Sequence, residues 1–254
     1  MNATSPARSR LTLFRFPVAA ALVVLSACDG DEPTAARRVL AAVTVSLETT
    51  SIEVGQTVAA AVVAFDQDGA PIAVRGAKWT SVQSAVAGVD ETSGRVRAIA
   101  PGSTRIVASI DGVSGERTIT VVAPPAIRLN EIATGGSARS GWLELFNPTD
   151  GAIDLAGWSI IDETLFGPVF TLPPRTTIPA RGLLVIEETV LPFGIDAIDD
   201  VRLISRYGAE VDRLLWVVPA TGPNGRCPDG ATLFVPLPSP TKGAANVCPG
   251  VTGS

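Results

Sequence analysis

Val43-Thr44-Val45-Ser46-Leu47-Glu48 puts three aliphatic side chains on one side of an extended chain and three polar ones on the other. A period of two is the mark of a β-strand with one buried face. The same texture continues outward from it. Short β-rich runs occupy 57–65, 77–81, 86–89, 96–100, 104–110 and 116–122, with Asp68-Gly69, Ser93-Gly94, Pro101-Gly102 and Asp111-Gly112 as turn dipeptides between them. Strands at this spacing predict a β-sandwich, with Trp79 as a core anchor. Beyond the stiff segment Ala123-Pro124-Pro125-Ala126 the pattern starts again, with expected strands at 127–132, 142–147, 152–155, 158–162, 169–172, 182–187, 201–205, 210–216 and 232–235. No stretch holds a 3.6-residue period long enough for a helix. The expected class is all-β, two sandwiches in tandem.

Two ordered series of motifs carry family resemblances. The first runs Thr50-Ser51-Ile52-Glu53-Val54-Gly55-Gln56-Thr57, Lys78-Trp79-Thr80-Ser81, Val86-Ala87-Gly88-Val89-Asp90, Ser93-Gly94-Arg95-Val96 and Ala100-Pro101-Gly102-Ser103-Thr104. It resembles a bacterial Ig-like domain of group 2 over residues 42–122. The second runs Leu129-Asn130-Glu131-Ile132, Trp142-Leu143-Glu144-Leu145-Phe146-Asn147-Pro148, Asp154-Leu155-Ala156-Gly157-Trp158-Ser159-Ile160 and Ile178-Pro179-Ala180-Arg181-Gly182. It ends with Arg226, Pro228-Asp229-Gly230 and Ser239-Pro240-Thr241-Lys242-Gly243-Ala244-Ala245-Asn246. This series resembles a lamin tail domain over residues 127–248, joined to the first by a linker at 123–126 and followed by a short tail at 249–254. Both resemblances imply immunoglobulin-like β-sandwiches. The first implies a spacer, the second a module for attachment or protein contact, and neither implies a catalytic site.

The N-terminus has a different character. Arg8, Arg10 and Arg15 precede an uncharged run from Phe16 to Leu25, closed by Leu25-Ser26-Ala27-Cys28. A basic region, a short apolar region and a small-residue cleavage site make an export signal. The apolar run is shorter than the roughly 20 residues a membrane span needs. The pattern resembles a bacterial lipoprotein signal ending in a lipobox, which implies cleavage after residue 27 and acylation of Cys28. Residues 28–41 then read as a tether, and the lipid bilayer as the partner of the acylated cysteine. The expected location is the cell envelope, on the periplasmic or cell-surface side.

Composition narrows the chemistry. Removing residues 1–27 leaves 17 basic and 25 acidic side chains, a formal charge of −8, with Lys78 and Lys242 as the only lysines. A net acidic chain without a cluster of cations is not built to grip phosphate backbones, so no nucleic-acid partner is expected. The chain has no histidine, which excludes Ser-His-Asp and Cys-His catalysis and removes the commonest metal ligand. Cys227 and Cys248 follow the export signal, in a compartment where disulfides persist. They are expected to bridge, with two free thiols as the alternative.

Glu131 and Glu144 are the candidate polar residues. If the strand holding Glu131 pairs with 142–147, two carboxylates and the amides of Asn130 and Asn147 come together, a set of oxygens that suits calcium. The competing expectation is that strand-end amides, or arginines such as Arg139 and Arg226, satisfy both glutamates. Asp66-x-Asp68-Gly69 is expected to be a hairpin turn, and Asp196, Asp199 and Asp200 a solvated loop. Ser239-x-x-Lys242 matches a pattern of penicillin-recognising enzymes, but Pro238 and Pro240 forbid the helix that pattern requires. Trp142, Trp158 and Trp216 are expected in the core rather than in a glycan-binding groove. The whole reads as a non-catalytic, lipid-anchored protein with spacer and contact modules, no cofactor, no metal, and an envelope protein or glycan as partner. A carboxylate- or metal-dependent hydrolase, or a calcium-binding module, centred on Glu131 and Glu144 is the alternative. The anchor stands or falls on one thiol: Cys28→Ser is expected to abolish incorporation of radiolabelled palmitate, and undiminished labelling would refute acylation there.

Overall fold

Alternating side chains become sheets only where two apolar faces can meet, and this chain does so twice. The computed structural model describes residues 37–135, 138–162, 167–196, 198–216 and 222–250. The expected signal peptide at 1–27, Cys28, the tether up to residue 36 and the tail from 251 lie outside the described residues. The first part forms β1 (Leu40–Leu47), β2 (Ser51–Glu53), β3 (Thr57–Asp66), β4 (Pro71–Ile72), β5 (Lys78–Ser81), β6 (Ala87–Val89), β7 (Arg95–Ala98), β8 (Gly102–Ile110) and β9 (Val113–Val122). One sheet runs β1-β3-β7-β6 with β4 beside β3; the facing sheet runs β2-β9-β8-β5. The short β2 lies parallel to β9, and the other pairs are antiparallel.

Val43 and Val45 are buried while Thr44 and Ser46 face out, as the opening hexapeptide requires. They pack with Ile52, Val58, Trp79, Val96, Ile106 and Ile119 in one core. Trp79 sits against the turn at Gly94. That glycine has φ +70°, and a Cβ there would lie 2.7 Å from the indole Cε2. Only glycine fits both the backbone and the ring. Asp66 ends β3 inside the expected hairpin turn. One of its oxygens accepts the amides of Asp68 (3.0 Å) and Ala70 (2.8 Å), the other Arg38 Nε (2.6 Å). Arg38 beside it, with those amides, holds its carboxyl below the ordinary carboxylate range. The turn thus also pins the start of β1.

The second part forms β10 (Arg128–Ala133), β11 (Trp142–Phe146), β12 (Ile153–Asp154), β13 (Ser159–Asp162), β14 (Val169–Thr171), β15 (Thr177–Ile178), β16 (Leu183–Glu187), β17 (Asp199–Ile204), β18 (Glu210–Trp216), β19 (Asn224–Arg226) and β20 (Phe234–Pro236). Its sheets are β16-β11-β10-β19-β20 and β14-β13-β17-β18, with β12-β15 as a separate ribbon. A second core, sharing no residue with the first, gathers Leu129, Leu143, Leu145, Trp158, Ile160, Val201, Leu203 and Trp216. No α-helix appears among the described residues. The fold class is all-β and immunoglobulin-like.

Three differences from the sequence expectations have physical causes. The two-residue strands β4 and β15 and the three-residue β2 and β19 are too short to show a period. Asp199 and Asp200 do not lie in a solvated loop; they open β17 and are 3% and 8% exposed. Trp142, by contrast with the ordinary alternation, is buried together with Leu143, Glu144 and Leu145, because both faces of β11 are covered. Trp142, Trp158 and Trp216 are all buried, as expected.

Cys227 and Cys248 are joined in a disulfide, their Cα atoms 5.4 Å apart and 21 positions apart in sequence. It fastens the chain after β20 back to the end of β19. Replacing both cysteines with serine is expected to lower the unfolding free energy of the second sandwich by about 2–4 kcal/mol and leave the first unchanged. Denaturant titration of the full chain measures both, and two free thiols in the native exported protein would refute the bridge.

Candidate functional site

The antiparallel pairing of β10 with β11 sets Glu131 directly opposite Glu144, and the register slips at Asn130, which bulges out of the ladder. Leu129, Leu143 and Leu145 fill the core, so the glutamates stand on the outer face of the sheet. That face is covered. The segment after β20, residues 239–246, crosses it as a strap, and Glu131, Glu144 and Asn130 are completely inaccessible to solvent.

Each acid is held by the strap or by the turn after β19. Glu131 accepts the amide of Thr241 on Oε1 (3.0 Å) and meets its hydroxyl on Oε2 (2.5 Å). Glu144 accepts Asn130 Nδ2 on Oε1 (3.2 Å) and the amide of Gly243 on Oε2 (2.7 Å). A third carboxylate, Asp229, accepts Asn130 Nδ2 (3.0 Å) and the amide of Asn246 (3.0 Å). Asn130 completes its set by accepting the amide of Gly230 (2.9 Å). The bulge therefore serves a purpose: it turns one amide side chain toward two acids and a turn.

Both expected pairings need correction in part. The glutamates do cluster, but Asn147 is elsewhere, donating to the carbonyls of Gly151 (2.7 Å) and Pro179 (2.9 Å). Amides satisfy the glutamates, and the arginines do not. Arg226 clamps Asp212 through two 3.0 Å bonds and donates to the carbonyls of Leu129 and Ala231, while Arg139 donates to those of Leu191 and Phe193. Lys242 turns outward to Glu187 (2.6 Å) and lies over Trp142, 5.9 Å from the ring centroid, so it has no partnership with Ser239. Sequence reasoning missed Asp229, Thr241, Gly243 and Asn246 as partners. They lie inside quoted motifs, yet Thr241 is 110 positions from Glu131, Gly243 is 99 from Glu144 and Asp229 is 99 from Asn130.

With no cation against it, the cluster favours protons. Burial pushes Glu131 above the ordinary carboxyl range against the opposing bonds from Thr241, and the charge on Asp229 adds to the rise. Burial also raises Glu144, opposed by the Gly243 amide and Asn130, with the charges of Glu131 and Asp229 adding to it. The hydrogen count agrees for Glu131. The Thr241 hydroxyl meets both Glu131 Oε2 and Asn246 Oδ1 (2.8 Å), and Asn246 commits its Nδ2 to the carbonyl of Arg226 (2.8 Å). One hydroxyl hydrogen cannot serve two acceptors. A protonated Glu131 donates to Thr241, which then donates to Asn246, and the chain is complete.

The sign of the pH dependence follows. The native state binds protons more readily than the unfolded chain, so stability is lost as pH rises from the ordinary carboxyl value through the raised values of the folded state. Thr241→Val should cost about 1–3 kcal/mol, because the Glu131 hydroxyl loses its acceptor and Asn246 Oδ1 its donor. Glu131→Gln carries a permanent N–H and should match or exceed wild-type stability near neutral pH, with a shallower pH slope. Urea unfolding of the second sandwich at mildly acidic and mildly alkaline pH checks all three, and a wild-type slope of opposite sign would refute the assignment.

Chemically the arrangement is a closed clasp. Among the described residues, no group of three or more His, Cys, Asp or Glu side chains stands ready to hold a metal ion. A comparison with curated proteins returned no match. Among solved structures, domains 5-6 of the S-layer protein SbsC are 18% identical with a TM-score of 0.29, covering 73% of this chain and 100% of that one. The Yersinia pseudotuberculosis adhesin InvE is 16% identical with a TM-score of 0.29, covering 69% of this chain and 58% of that one. The BSP domain of a biofilm associated protein is 12% identical with a TM-score of 0.23, covering 71% and 30%. A family model described as Lamin Tail Domain matches residues 120–217, from the end of β9 to just past β18, and supports a lamin tail domain of immunoglobulin-like fold in the second sandwich.

Proposed function

We propose that this chain is a non-catalytic envelope lipoprotein, held to a membrane through acylated Cys28. In this reading the group 2 Ig-like domain of the first sandwich is a spacer, and the lamin tail domain of the second is the module that meets a protein or glycan of the envelope. The observation that carries the non-catalytic part is the closure of the acid cluster: Glu131 and Glu144 spend their oxygens on the chain's own strap. A hydrolytic acid or base needs reach to a substrate atom, and these carboxylates have none. The absence of histidine from the sequence supports the same conclusion. The anchor rests on the N-terminal residues, and among the described residues no helix is long and apolar enough to cross a membrane.

Fractionation of cells producing the native protein tests the anchor. The wild type is expected in the membrane fraction, released by detergent and not by salt, and Cys28→Ser in the soluble fraction or unprocessed. Cross-linking in the intact envelope should then capture a protein or glycan through the second sandwich. The rival calcium reading has its own signature. Saturation at 100 times Kd would stabilise the domain by about 2.7 kcal/mol, visible as a rise in melting temperature. No such rise is expected with millimolar calcium, and one that Glu144→Gln removes would overturn the closed-clasp reading.

A further inference from the structure

A second pair of acids lies at the far sheet of the second sandwich. Asp162 closes β13 and stands opposite Val201, and Asp199 opens β17 two residues earlier. Both therefore share the face of Ile160, Val201 and Leu203, the face turned to the core. The register makes their carboxyl groups diagonal neighbours on that face, and Asp162 is close enough to raise Asp199. Asp199 also accepts the amides of Asp200 (2.8 Å) and Asp196 (3.1 Å). Among the described residues, the buried Asp162 Oδ1 has no hydrogen-bond partner.

The positive charges nearby are on the other face. Asp200 takes Arg213 through two bonds (2.7 and 2.6 Å) and Arg202 through one (3.0 Å), and these hold its carboxyl low. Alternation along β17 sends Asp200 and Arg202 outward and Asp199 inward, and Arg213 of β18 stands opposite Arg202. The neighbouring β14 (Val-Phe-Thr) carries no charge. Asp196 contributes its amide to Asp199 and its carbonyl to the indole N–H of Trp216 (3.2 Å), the residue opposite Asp199. Two ionised carboxylates in contact repel each other, and only a proton between them makes the contact a bond.

We propose that the buried Asp199 carboxyl keeps its proton in the native state and turns it toward the bare oxygen of Asp162, so that this end of the sheet is a pH-sensitive joint, tight while the proton is held and loosened when it leaves. Burial, and then the bond and charge of Asp162, push Asp199 up from 3.8 to about 7. The native state thus keeps a proton that the unfolded chain releases. Stability falls as pH rises from the ordinary carboxyl value to about 7 and levels off above it. Carboxylates held low by their partners, Asp66 and Asp200 among them, lose stability only below their ordinary value, a separate window.

Carboxyl carbon-13 resonances of the full chain, followed against pH, test the pair directly. One aspartate titrating near neutrality is expected; every aspartate titrating in the ordinary range would overturn the proposal. Thermal unfolding supplies the second reading. Between about pH 5.5 and about pH 8.5 the second sandwich should lose about 5 °C in Tm. Asp199→Asn, whose amide donates to Asp162 at any pH, should remove most of that loss, and Glu131→Gln should leave the share due to this pair in place. Retention of the full loss in Asp199→Asn would refute the assignment. If that variant does not fold, the wild-type titration decides alone.

Discussion

The second sandwich depends on an unfavourable burial made tolerable: two glutamates and an asparagine lie under a strap of the chain's own backbone, with the half-buried Asp229 beside them. An unpaired buried carboxylate costs several kcal/mol, and the cost is offset when its oxygens find hydrogen-bond partners or take up a proton. Here the donors are the amides of Thr241, Gly243 and Asn246, together with Asn130. The strap cannot leave without stranding the acids, and the acids cannot be covered without the strap. That mutual need explains why β11 is buried on both faces, and why the chain continues about thirty residues past β18 before the domain is closed. The disulfide at Cys227 and Cys248 holds both ends of that arrangement together. The residues matched by the family model stop at 217, so they include Asn130, Glu131 and Glu144 but not the strap that covers them.

The first sandwich is built on a simpler principle. Its strands alternate, its core is Val, Ile and Ala around Trp79, and its polar contacts are local turns and surface pairs such as Arg105 with Glu116. Exposed pairs of that kind contribute little to stability. A few of its side chains reach further, among them Arg38 on Asp66, Thr104 on the Gln83 amide, and Glu53, which is bonded to Ser205 of the second sandwich. Its strands pair over long separations, Ser51 with Thr120 and Thr57 with Arg97, but the second half is the one that closes a group of acids under its own strap.

Buried acids also give the second sandwich an electrostatic character unlike that of most small domains. Its raised carboxyl groups, Glu131, Glu144 and Asp199, are set by burial more than by charge. The surface aspartates with partners, Asp154 beside the Ala156 amide and Arg206, go the other way. Glu131, Glu144 and Asp199 thus bind protons more strongly than the unfolded chain, while Asp154, Asp66 and Asp200, each beside an arginine, bind them less. Such opposition follows from where each side chain sits and from no property of the residue type.

The sequence by itself determined what depends on neighbours along the chain. Alternation at 43–48 names the strand face, Asp68-Gly69 and Ser93-Gly94 name turns, and Pro238 and Pro240 rule out a helix around Ser239 and Lys242. The lack of histidine and the two late cysteines were equally plain. What the sequence could not supply was the partner of any residue held across a long separation. Glu131 could be placed opposite Glu144 as a conditional, but not Thr241 on Glu131 or Asp229 beside Asn130. Nor could it show that Asp199 turns inward while Asp200 turns out to two arginines. Only the tertiary structure decided these, because hydrogen-bond partners and solvent access are set by which distant segments pack together. A carboxylate in a one-dimensional pattern looks the same whether water or a backbone amide will meet it.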